Sequence, residues 1–449
     1  MKRFSQLKFI DNESIGHCAK KSKTGRKIYS DTIYTFDIET TSLFKINGEW
    51  RVFDYDLDKS EYLHEEHTMM AIPYIWQFGV EDAVYYGRDF MQFEEVLKLI
   101  SNEILTKIIW IHNASFELQF LQNIFDKYTI TDMCARDIRK PISFYVQELN
   151  IEFRCSYMLT NLSLEKASEE YTNVKKKHTL DYDGKCRTEK SKLTRQELSY
   201  CEYDIICLYN IIKFYRNRYK HLAKVPLTAT SEVRKALQKR VDYSYIKKQW
   251  DLVPSNDMYL KLMACFQGGY THANVLNSGR VFDSAEGYPI SSYDLASSYP
   301  TVMLLERYPS TPFRMIDYDD YLDLTRGGNY CFIMRLGLHN VKSRYYNNYL
   351  SYSRALEVSE DNLIYDNGRI QRSDYVELYC TNIDLEIIQK NYQISKIDYI
   401  EIYCSEARFL DYRVLRFILD LYKDKTELKG VDEKSELYKK AKGYINSLY

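Results

Sequence analysis

Asp37 and Glu39 are the first residues whose type and spacing could do chemistry. Residues 31–39 alternate in the manner of a strand, with both carboxylates on one face and the apolar side chains on the other. The two carboxylates would lie roughly 7 Å apart along the strand. A divalent cation would relieve their repulsion and permit burial. An exposed edge strand explains the pair equally well when it is taken alone.

Glu117 is a third candidate ligand. Residues 107–111 predict a short apolar strand, and the residues from His112 onward predict a turn and the opening of a helix. This places Glu117 in a first helical turn beside the carboxyl end of a strand, where catalytic side chains collect in open α/β sheets. Interaction with the helix dipole is the alternative role for this carboxylate.

Asp204 is the fourth candidate. Thr194 and Glu197 have the spacing of a capping box, which predicts a long helix over residues 198–219. Within that helix Tyr200 and Asp204 are four residues apart and share a face. Because the neighbours of Asp204 are mostly apolar, its carboxylate costs stability unless it binds something.

These three blocks resemble, in their order along the chain, the 3′–5′ exonuclease domain of the DnaQ-like type found in family B DNA polymerases. The resemblance implies a ribonuclease H-like fold that holds two Mg²⁺ ions, or Mn²⁺ in their place, and contacts DNA next to the ions. The implied metal ligands are Asp37, Glu39, Glu117 and Asp204, with Tyr200 orienting the attacking water and Asn113 and Phe116 beside the DNA. Glu117 departs from the family, which usually has Asp at this position.

Two stretches are strongly basic although the formal net charge of the chain is only −1. Residues 1–30 carry eight Lys and Arg, and solvated loops are the expected structure there. Residues 175–195 carry eight as well, and within them Lys177 and Tyr182 resemble an element with which the same polymerase family contacts single-stranded DNA. A cation for phosphate and an aromatic ring for base stacking suit that role.

Phe266, Gly268 and Gly269 begin a second group of motifs. Paired glycines between aromatic residues predict a tight turn. The group resembles the Tyr-x-Gly-Gly element between the exonuclease and polymerase domains of the same family, which implies contact with the template strand. Phe266 replaces the usual Tyr and lacks the hydrogen bond of its hydroxyl.

Asp294 lies where residues 288–294 predict the end of a strand, followed by a turn into residues 301–305. A helix cap is the alternative role for such an Asp. The full pattern Asp-x-x-Ser-x-Tyr-Pro resembles motif A of family B polymerases. The resemblance implies that Asp294 is a palm metal ligand, that the backbone at Leu295 contacts the incoming triphosphate, and that Tyr299 excludes ribose.

The closing residues form a further block. Residues 410–449 predict helices rich in lysine, including Lys425, and a solvated amphipathic helix pair is the alternative interpretation. The final Lys442-x-x-x-Asn446-Ser-x-Tyr449 resembles the start of motif B, in which Lys grips the triphosphate while Asn and Tyr line the pocket of the new base pair. Residues 381–392 resemble the passage from palm to fingers in protein-primed members.

Other elements must position these residues. Residues 142–157 predict a structural hairpin joined at Leu149 and Asn150, and residues 366–369 predict a hairpin turn. A helical stretch is expected to end near Arg240. The resulting fold class is a multidomain α/β and α+β protein. The expected divisions are a basic extension (1–30), an exonuclease domain (31–225), a template-contacting junction (226–280) and an incomplete palm and fingers (281–449).

The six blocks together resemble the protein-primed family B DNA polymerases of bacteriophages, adenoviruses and linear plasmids. The resemblance implies DNA, deoxynucleoside triphosphates and a terminal protein as partners. An Asp-x-Asp palm motif is expected after motif B, so we predict that these 449 residues degrade single-stranded DNA but need a separate carboxyl-terminal half to polymerise. A stand-alone exonuclease with a vestigial palm and a non-enzymatic fragment of a split gene are the alternatives.

The composition predicts a cytoplasmic protein, which would lie in the cytoplasm of the host cell if the gene is viral. The chain has 45% hydrophobic residues, and no run approaches the roughly 20 apolar residues of a membrane span. Its 10 scattered cysteines contain no C-x-x-C pair, so reduced thiols are expected rather than a disulfide framework or a zinc site.

Overall fold

The computed structural model describes residues 1–7, 18–22, 25–46, 48–53, 68–137, 140–174, 185–270, 277, 279–283, 287, 290–293, 295, 297–345, 348–433 and 435–448. The chain divides into two compact units, Met1–Val233 and Arg234–Tyr449.

The first unit contains eleven described strands and six helices. The strands are β1 (Lys2–Arg3), β2 (Cys18–Ser22), β3 (Gly25–Tyr29), β4 (Tyr34–Ile46), β5 (Glu49–Val52), β6 (Thr68–Val80), β7 (Ala83–Gly87), β8 (Leu105–Ile111), β9 (Ile130–Ala135), β10 (Pro141–Val146) and β11 (Ile151–Cys155). The helices are α1 (Met91–Ile100), α2 (Ala114–Glu117), α3 (Gln122–Phe125), α4 (Tyr157–Thr160), α5 (Leu164–Tyr171) and α6 (Arg195–Tyr219).

One mixed sheet organises this unit, with its central strands in the order β7-β6-β4-β8-β11. The strand β6 runs antiparallel to both β4 and β7, whereas β8 runs parallel to both β4 and β11. This order and these directions are those of the ribonuclease H-like fold, so the fold class expected from the sequence is confirmed.

Both faces of the sheet are covered, and the alternation in β4 correctly predicts which of its side chains face the apolar core. Tyr34, Phe36 and Ile38 belong to the core on the side of α1, where the ring of Phe36 stacks on Phe93 with centroids 4.1 Å apart. The opposite face packs against α6. Gly79 allows this close approach, because a Cβ there would lie 2.8 Å from the side chain of Ile205.

The elements predicted for this unit are largely confirmed. Thr194 and Glu197 form both hydrogen bonds of a capping box, and α6 begins at Arg195, directly after Thr194. The strands β10 and β11 form the predicted hairpin. The solvated-loop interpretation of the first basic stretch is wrong for β2 and β3, since they form a hairpin and β3 pairs with β8. Lys27 is buried there and forms an ion pair with Asp132 at 2.7 Å.

The second unit contains eight described strands and eight helices, of which α7 spans the boundary between the units. The helices are α7 (Ala229–Gln238), α8 (Tyr243–Asp251), α9 (Asn256–Cys265), α10 (Ser298–Leu305), α11 (Tyr318–Arg326), α12 (Asn382–Asn391), α13 (Tyr412–Leu428) and α14 (Glu436–Asn446). The strands are β12 (Tyr308–Pro309), β13 (Arg314–Ile316), β14 (Tyr330–Ser343), β15 (Glu357–Val358), β16 (Ile364–Asp366), β17 (Arg369–Thr381), β18 (Tyr392–Gln393) and β19 (Lys396–Arg408).

An antiparallel sheet built on the long strands β14, β17 and β19 forms the centre of this unit. One face carries the larger core, which includes Leu336, Leu378 and Ile402 and packs against Ile388 of α12. The predicted turn at 366–369 is confirmed, because β16 and β17 are antiparallel and the two residues between them, Asn367 and Gly368, both have positive φ. Successive positive φ values are typical of a type I′ turn.

Two local predictions for the second unit are wrong. Residues 290–293, the described part of the strand expected before Asp294, have no strand structure and are all exposed. A strand needs a neighbour for its backbone N–H and C=O groups, and none of the described strands pairs with this segment. Gly268 and Gly269 lie in irregular backbone, and neither has the positive φ of a tight glycine turn.

The described residues include no helix that combines the length and the apolar character required to cross a bilayer.

Candidate metal centre and nucleotide site

The strand β4 presents Asp37 and Glu39 to α6. Phe36 pairs with Ile111, the last residue of β8, so Asp37 and His112 emerge side by side where β8 ends. On the other side of β4, Asp37 pairs with Gln77 and Glu39 pairs with Ile75 of β6. The period-two alternation that buries Phe36 therefore directs both carboxylates to the opposite face of the sheet.

Three of the predicted carboxylates converge in the structure. One oxygen from each of Asp37, Glu39 and Asp204 lies within 4.8 Å of the others. Glu39 and Asp204 are buried, with 7% and 5% of their surface exposed, and Asp37 is partly buried. Asp204 comes from the middle of α6, so two elements that are more than 160 residues apart in the sequence build one cluster.

Glu117 is the fourth carboxylate and lies beside the cluster. It is the last residue of α2, directly after β8, and only 5% of its surface is exposed. Burial raises the pKa of Glu117 well above its usual value, and the neighbouring charge of Asp37 raises it further. Its Oε2 atom has no hydrogen-bond partner among the described residues.

These features fit a divalent cation. The donor set consists of carboxylate oxygens alone, which hard cations such as Mg²⁺ prefer. An ionised, buried carboxylate is stable only when an opposite charge or hydrogen bonds compensate it. The pKa of the Cys201 thiol, one turn before Asp204, is raised by burial and then by Glu39, Asp37 and Asp204, as expected for a strongly negative pocket.

The loop that follows β8 is held by His112. Its Nδ1 lies 2.9 Å from Ser156 Oγ and its Nε2 lies 3.1 Å from the carbonyl oxygen of Leu162. Burial lowers the pKa of His112 to about 4, so the ring is neutral near pH 7. We infer a structural role for His112, because both ring nitrogens are engaged within the protein.

The residues expected to contact DNA in this unit are only partly described. Asn113 is exposed and has φ 66° just before α2, and Phe116 is half-buried with its ring against Phe120 at 5.2 Å. Lys177 and Tyr182 lie outside the described residues.

One member of the second basic stretch contradicts the expectation of an exposed DNA-binding surface. Arg187 is buried, with 7% of its surface exposed, and its Nε donates to Glu197 at 2.7 Å. Its backbone is also fixed, because Thr41 Oγ1 lies 2.7 Å from the carbonyl oxygen of Arg187.

In the second unit, Asp294 and Tyr449 lie outside the described residues, so the predicted palm site is seen only in part. Leu295 and Tyr299 are exposed, as are Phe266, Gly268 and Gly269. Lys442 and Asn446 are exposed on α14.

The structure does bring Lys425 to motif A. Its Nζ lies 3.2 Å from Oγ of Ser297, the Ser of the Asp-x-x-Ser pattern. Ser297 has φ 54°, a left-handed conformation that is uncommon for residues other than Gly and is often found at functional sites. The contact joins two segments that were assigned to the triphosphate site separately. The helices α13 and α14 confirm that residues 410–449 are largely helical. They contact each other, which was the alternative interpretation of this segment, and Phe417, Ile418, Tyr444 and Ile445 on them are buried.

Sequence reasoning missed the contribution of β6 to the metal centre. Gln77 is fully buried beside Asp37, and with its amide nitrogen facing that residue it donates to Asp37 Oδ2 at 3.2 Å and to the Asp37 carbonyl at 3.1 Å. Gln77 is the one strongly polar residue of segment 72–80, and this could have indicated that it contacts another polar group inside the protein. Its partner depends on strand register, which the sequence does not show.

Comparison with known proteins decides the family. The family model described as DNA polymerase type B, organellar and viral, matches residues 184–449. The chain belongs to this family. Asp204 and all the motifs of the second unit lie within the matched range, whereas Asp37, Glu39 and Glu117 precede it.

Solved structures of phi29 DNA polymerase share the fold. The orthorhombic crystal form is 16% identical with a TM-score of 0.60, and the alignment covers 93% of this chain and 67% of that polymerase. The complex with single-stranded DNA is 14% identical with a TM-score of 0.61, covering 93% and 66%. The ternary complex with primer-template DNA and incoming nucleotides is 15% identical with a TM-score of 0.57. No curated protein sequence matches the chain.

Proposed function

We propose that this type B DNA polymerase carries a 3′–5′ exonuclease in its first unit. The convergence of Asp37, Glu39 and Asp204 within 4.8 Å, with Glu117 beside them, is the observation that supports the proposal most strongly. Mg²⁺ or Mn²⁺ held by these four residues would supply a hydroxide at neutral pH and stabilise the departing oxygen of the phosphodiester.

The residues of the chain have distinct roles in this proposal. Burial of Glu39, Glu117 and Asp204 excludes water and strengthens their attraction for cations. Tyr200 lies one helical turn before Asp204 and is assigned to orienting the attacking water. Asn113 and Phe116, with Lys177 and Tyr182, are assigned to the single-stranded end of the DNA.

Degradation of a 5′-labelled single-stranded oligonucleotide by the 449-residue chain tests the exonuclease. We expect Mg²⁺-dependent shortening from the 3′ end, abolished by Asp37→Ala and by Asp204→Ala. Asp126→Ala is the matched control, because Asp126 is an exposed carboxylate of the same unit. Mg²⁺-dependent degradation that persists in Asp37→Ala would contradict the proposal.

We further propose that the second unit binds deoxynucleoside triphosphates at motif A. Asp294 is the proposed palm metal ligand, and Leu295, Tyr299, Lys425 and Lys442 are assigned to the nucleotide, with Asn446 and Tyr449 at the new base pair. The 3.2 Å contact between Lys425 and Ser297 supports this assignment, because it brings a cation to the segment that would face the phosphates. Phe266, Gly268 and Gly269 are assigned to the template strand.

Fluorescent deoxynucleotide binding tests the nucleotide site. We expect Lys425→Ala and Lys442→Ala each to weaken binding, and Lys390→Ala to leave it unchanged, because Lys390 is exposed on α12 and belongs to none of the motifs. Equal affinities for all four proteins would contradict the assignment.

Priming by a terminal protein is the most specific part of the proposed function. It is supported by the likeness of residues 381–392 to the passage from palm to fingers in the protein-primed members of the family. Additional polypeptide that completes the palm is also proposed, because Tyr293 and Leu305, which have no assigned ligand, are large apolar side chains left exposed beside motif A. One assay tests both the protein priming and the completing polypeptide. It measures template-dependent transfer of a labelled nucleotide to the hydroxyl of a terminal protein, with the completing polypeptide added or omitted.

A further inference from the structure

Residues 185–194, which we call the linking segment, lead into α6 and contain one buried arginine. The segment has no regular secondary structure, and its basic residues Lys185, Lys190 and Lys192 are exposed. In contrast, only 7% of the surface of Arg187 is exposed. A guanidinium is rarely buried unless it is paired, so the partners of Arg187 indicate why it is there.

The backbone of Arg187 is bonded to β4 next to the ligand Glu39. The Thr41 hydroxyl donates to the Arg187 carbonyl at 2.7 Å and accepts from the Arg187 N–H at 3.0 Å. Thr41 lies two residues after Glu39, so the alternation of the strand places both side chains on one face. The linking segment therefore contacts the carboxylate-bearing face of β4 one side chain beyond Glu39.

The side chain of Arg187 is bonded to α6 on the face that carries Asp204. Its Nε donates to Oε1 of Glu197 at 2.7 Å, while Oε2 of the same carboxylate accepts from the N–H of Thr194 in the capping box. Glu197, Cys201 and Asp204 have the spacing i, i+4 and i+7, which places them on one stripe of the helix. Because Cys201 is fully buried and packs with side chains of β6, this stripe faces the sheet.

A second arginine fixes the linking segment to β6. Arg88 Nη2 donates to the Thr188 carbonyl at 2.7 Å, and Arg88 Nε donates to the Tyr74 carbonyl at 2.6 Å. Tyr74 belongs to the strand whose Gln77 contacts Asp37. Two consecutive residues of the segment are thus bonded to three elements that surround the metal centre, β4, β6 and α6.

The separation of β4 and α6 decides whether a cation can be bound. Asp37 and Glu39 come from the strand and Asp204 comes from the helix, so their oxygens stay within 4.8 Å only while the helix keeps its depth and rotation against the sheet. Repulsion among the carboxylates acts to part the two elements when no cation is present. A bonded link between them opposes that repulsion.

We propose that Arg187 is a positioning residue of the metal centre. By joining Thr41 of β4 to Glu197 of α6, it holds the two ligand-bearing elements at the separation that a cation requires. The inference rests on the proposed exonuclease centre, and it assigns to Arg187 no direct contact with the cation.

Mn²⁺ binding to the full chain tests the inference without relying on catalysis. The dissociation constant to compare is that of the sites lost in Asp37→Ala, measured at a temperature at which each variant is folded. We expect Arg187→Met, which keeps the apolar stem and loses the ion pair, to raise this constant by about tenfold, within the range for residues that act on a site without touching its ligand. A cation that acted only through its charge would repel Mn²⁺, so its loss would lower the constant instead.

Thr41→Val is the second variant. It removes both hydrogen bonds to the backbone of Arg187 without a change of charge, and it should raise the dissociation constant in the same direction. Lys27→Met is the matched control, because Lys27 is similarly buried and ion-paired with Asp132 at 2.7 Å in the same unit, on a strand that carries none of the ligands. We expect Lys27→Met to lower the melting temperature and to leave the dissociation constant within twofold of the wild type.

The possible results separate the two proposals. A dissociation constant for either variant that is lower than in the wild type, or within twofold of it, would overturn the role of Arg187; with a lower melting temperature, that result would indicate packing alone. If Arg187→Met does not fold, Thr41→Val decides. If the wild-type chain binds no Mn²⁺, or if Asp37→Ala loses no site, the metal centre itself is wrong and the inference falls with it.

Discussion

Asp204→Asn removes one charge from the carboxylate cluster and should stabilise the chain when no divalent cation is present. The oxygens of Asp37, Glu39 and Asp204 lie within 4.8 Å of one another. Two unit charges at such a distance repel by about 3 kcal/mol at an effective dielectric constant of about 20. The repulsion among the three carboxylates cannot destabilise the fold by much more than about 4 kcal/mol, because at that cost one carboxyl becomes protonated at pH 7 instead. We therefore expect the substitution to raise the free energy of unfolding by about 2 to 4 kcal/mol.

Thermal unfolding in EDTA at pH 7.5 measures this effect. For a unit of the size of Met1–Val233, 1 kcal/mol corresponds to about 2 °C, so the melting temperature should rise by about 4 to 8 °C. The control is Asp126→Asn, which removes an exposed carboxylate of the same unit and should change nothing. In saturating Mg²⁺ the wild type should gain about 3 kcal/mol at a hundredfold excess over the dissociation constant, and the variant should gain far less.

Two results would refute this reasoning. A lower melting temperature of Asp204→Asn in EDTA would mean that hydrogen bonds of Asp204, rather than repulsion, dominate the metal-free cluster. Equal stabilisation of wild type and variant by Mg²⁺ would mean that the cation binds elsewhere.

Three further predictions concern stability. The pKa of Glu117 is raised above its usual 4.5, so above that pH the folded metal-free chain binds more protons than the unfolded chain. Its stability should therefore fall as the pH rises above about 4.5, and Glu117→Gln should flatten this dependence in urea unfolding. Gly368→Ala should cost about 1 kcal/mol, because Gly368 has φ +72°, whereas the control Gly327→Ala, at φ −84°, should be nearly neutral in the same assay. Thr194→Ala should cost about 1 kcal/mol and speed amide hydrogen exchange in the first turn of α6, and unchanged exchange would contradict the capping role.

Much of the fold follows from local patterns. Alternation predicted β4 and the faces of its side chains, the capping box predicted the start of α6, and residues 366–369 predicted a hairpin turn. Each of these signals acts within a few residues, where steric limits and hydrogen bonding fix the backbone almost independently of the rest of the chain. The strand expected at 288–294 did not form in its described part, because a strand also needs a neighbour.

The sequence by itself determined which residues could bind a metal and in what order they occur along the chain. Only the tertiary structure decided that Asp37, Glu39 and Asp204 meet within 4.8 Å, that Glu117 is buried beside them, and that Arg187 pairs internally with Glu197. It also decided that Gln77 contacts Asp37, since this contact depends on the register of β6 against β4. The physical reason is that strand pairing joins residues far apart in the chain, and a one-residue shift moves every side chain to the other face.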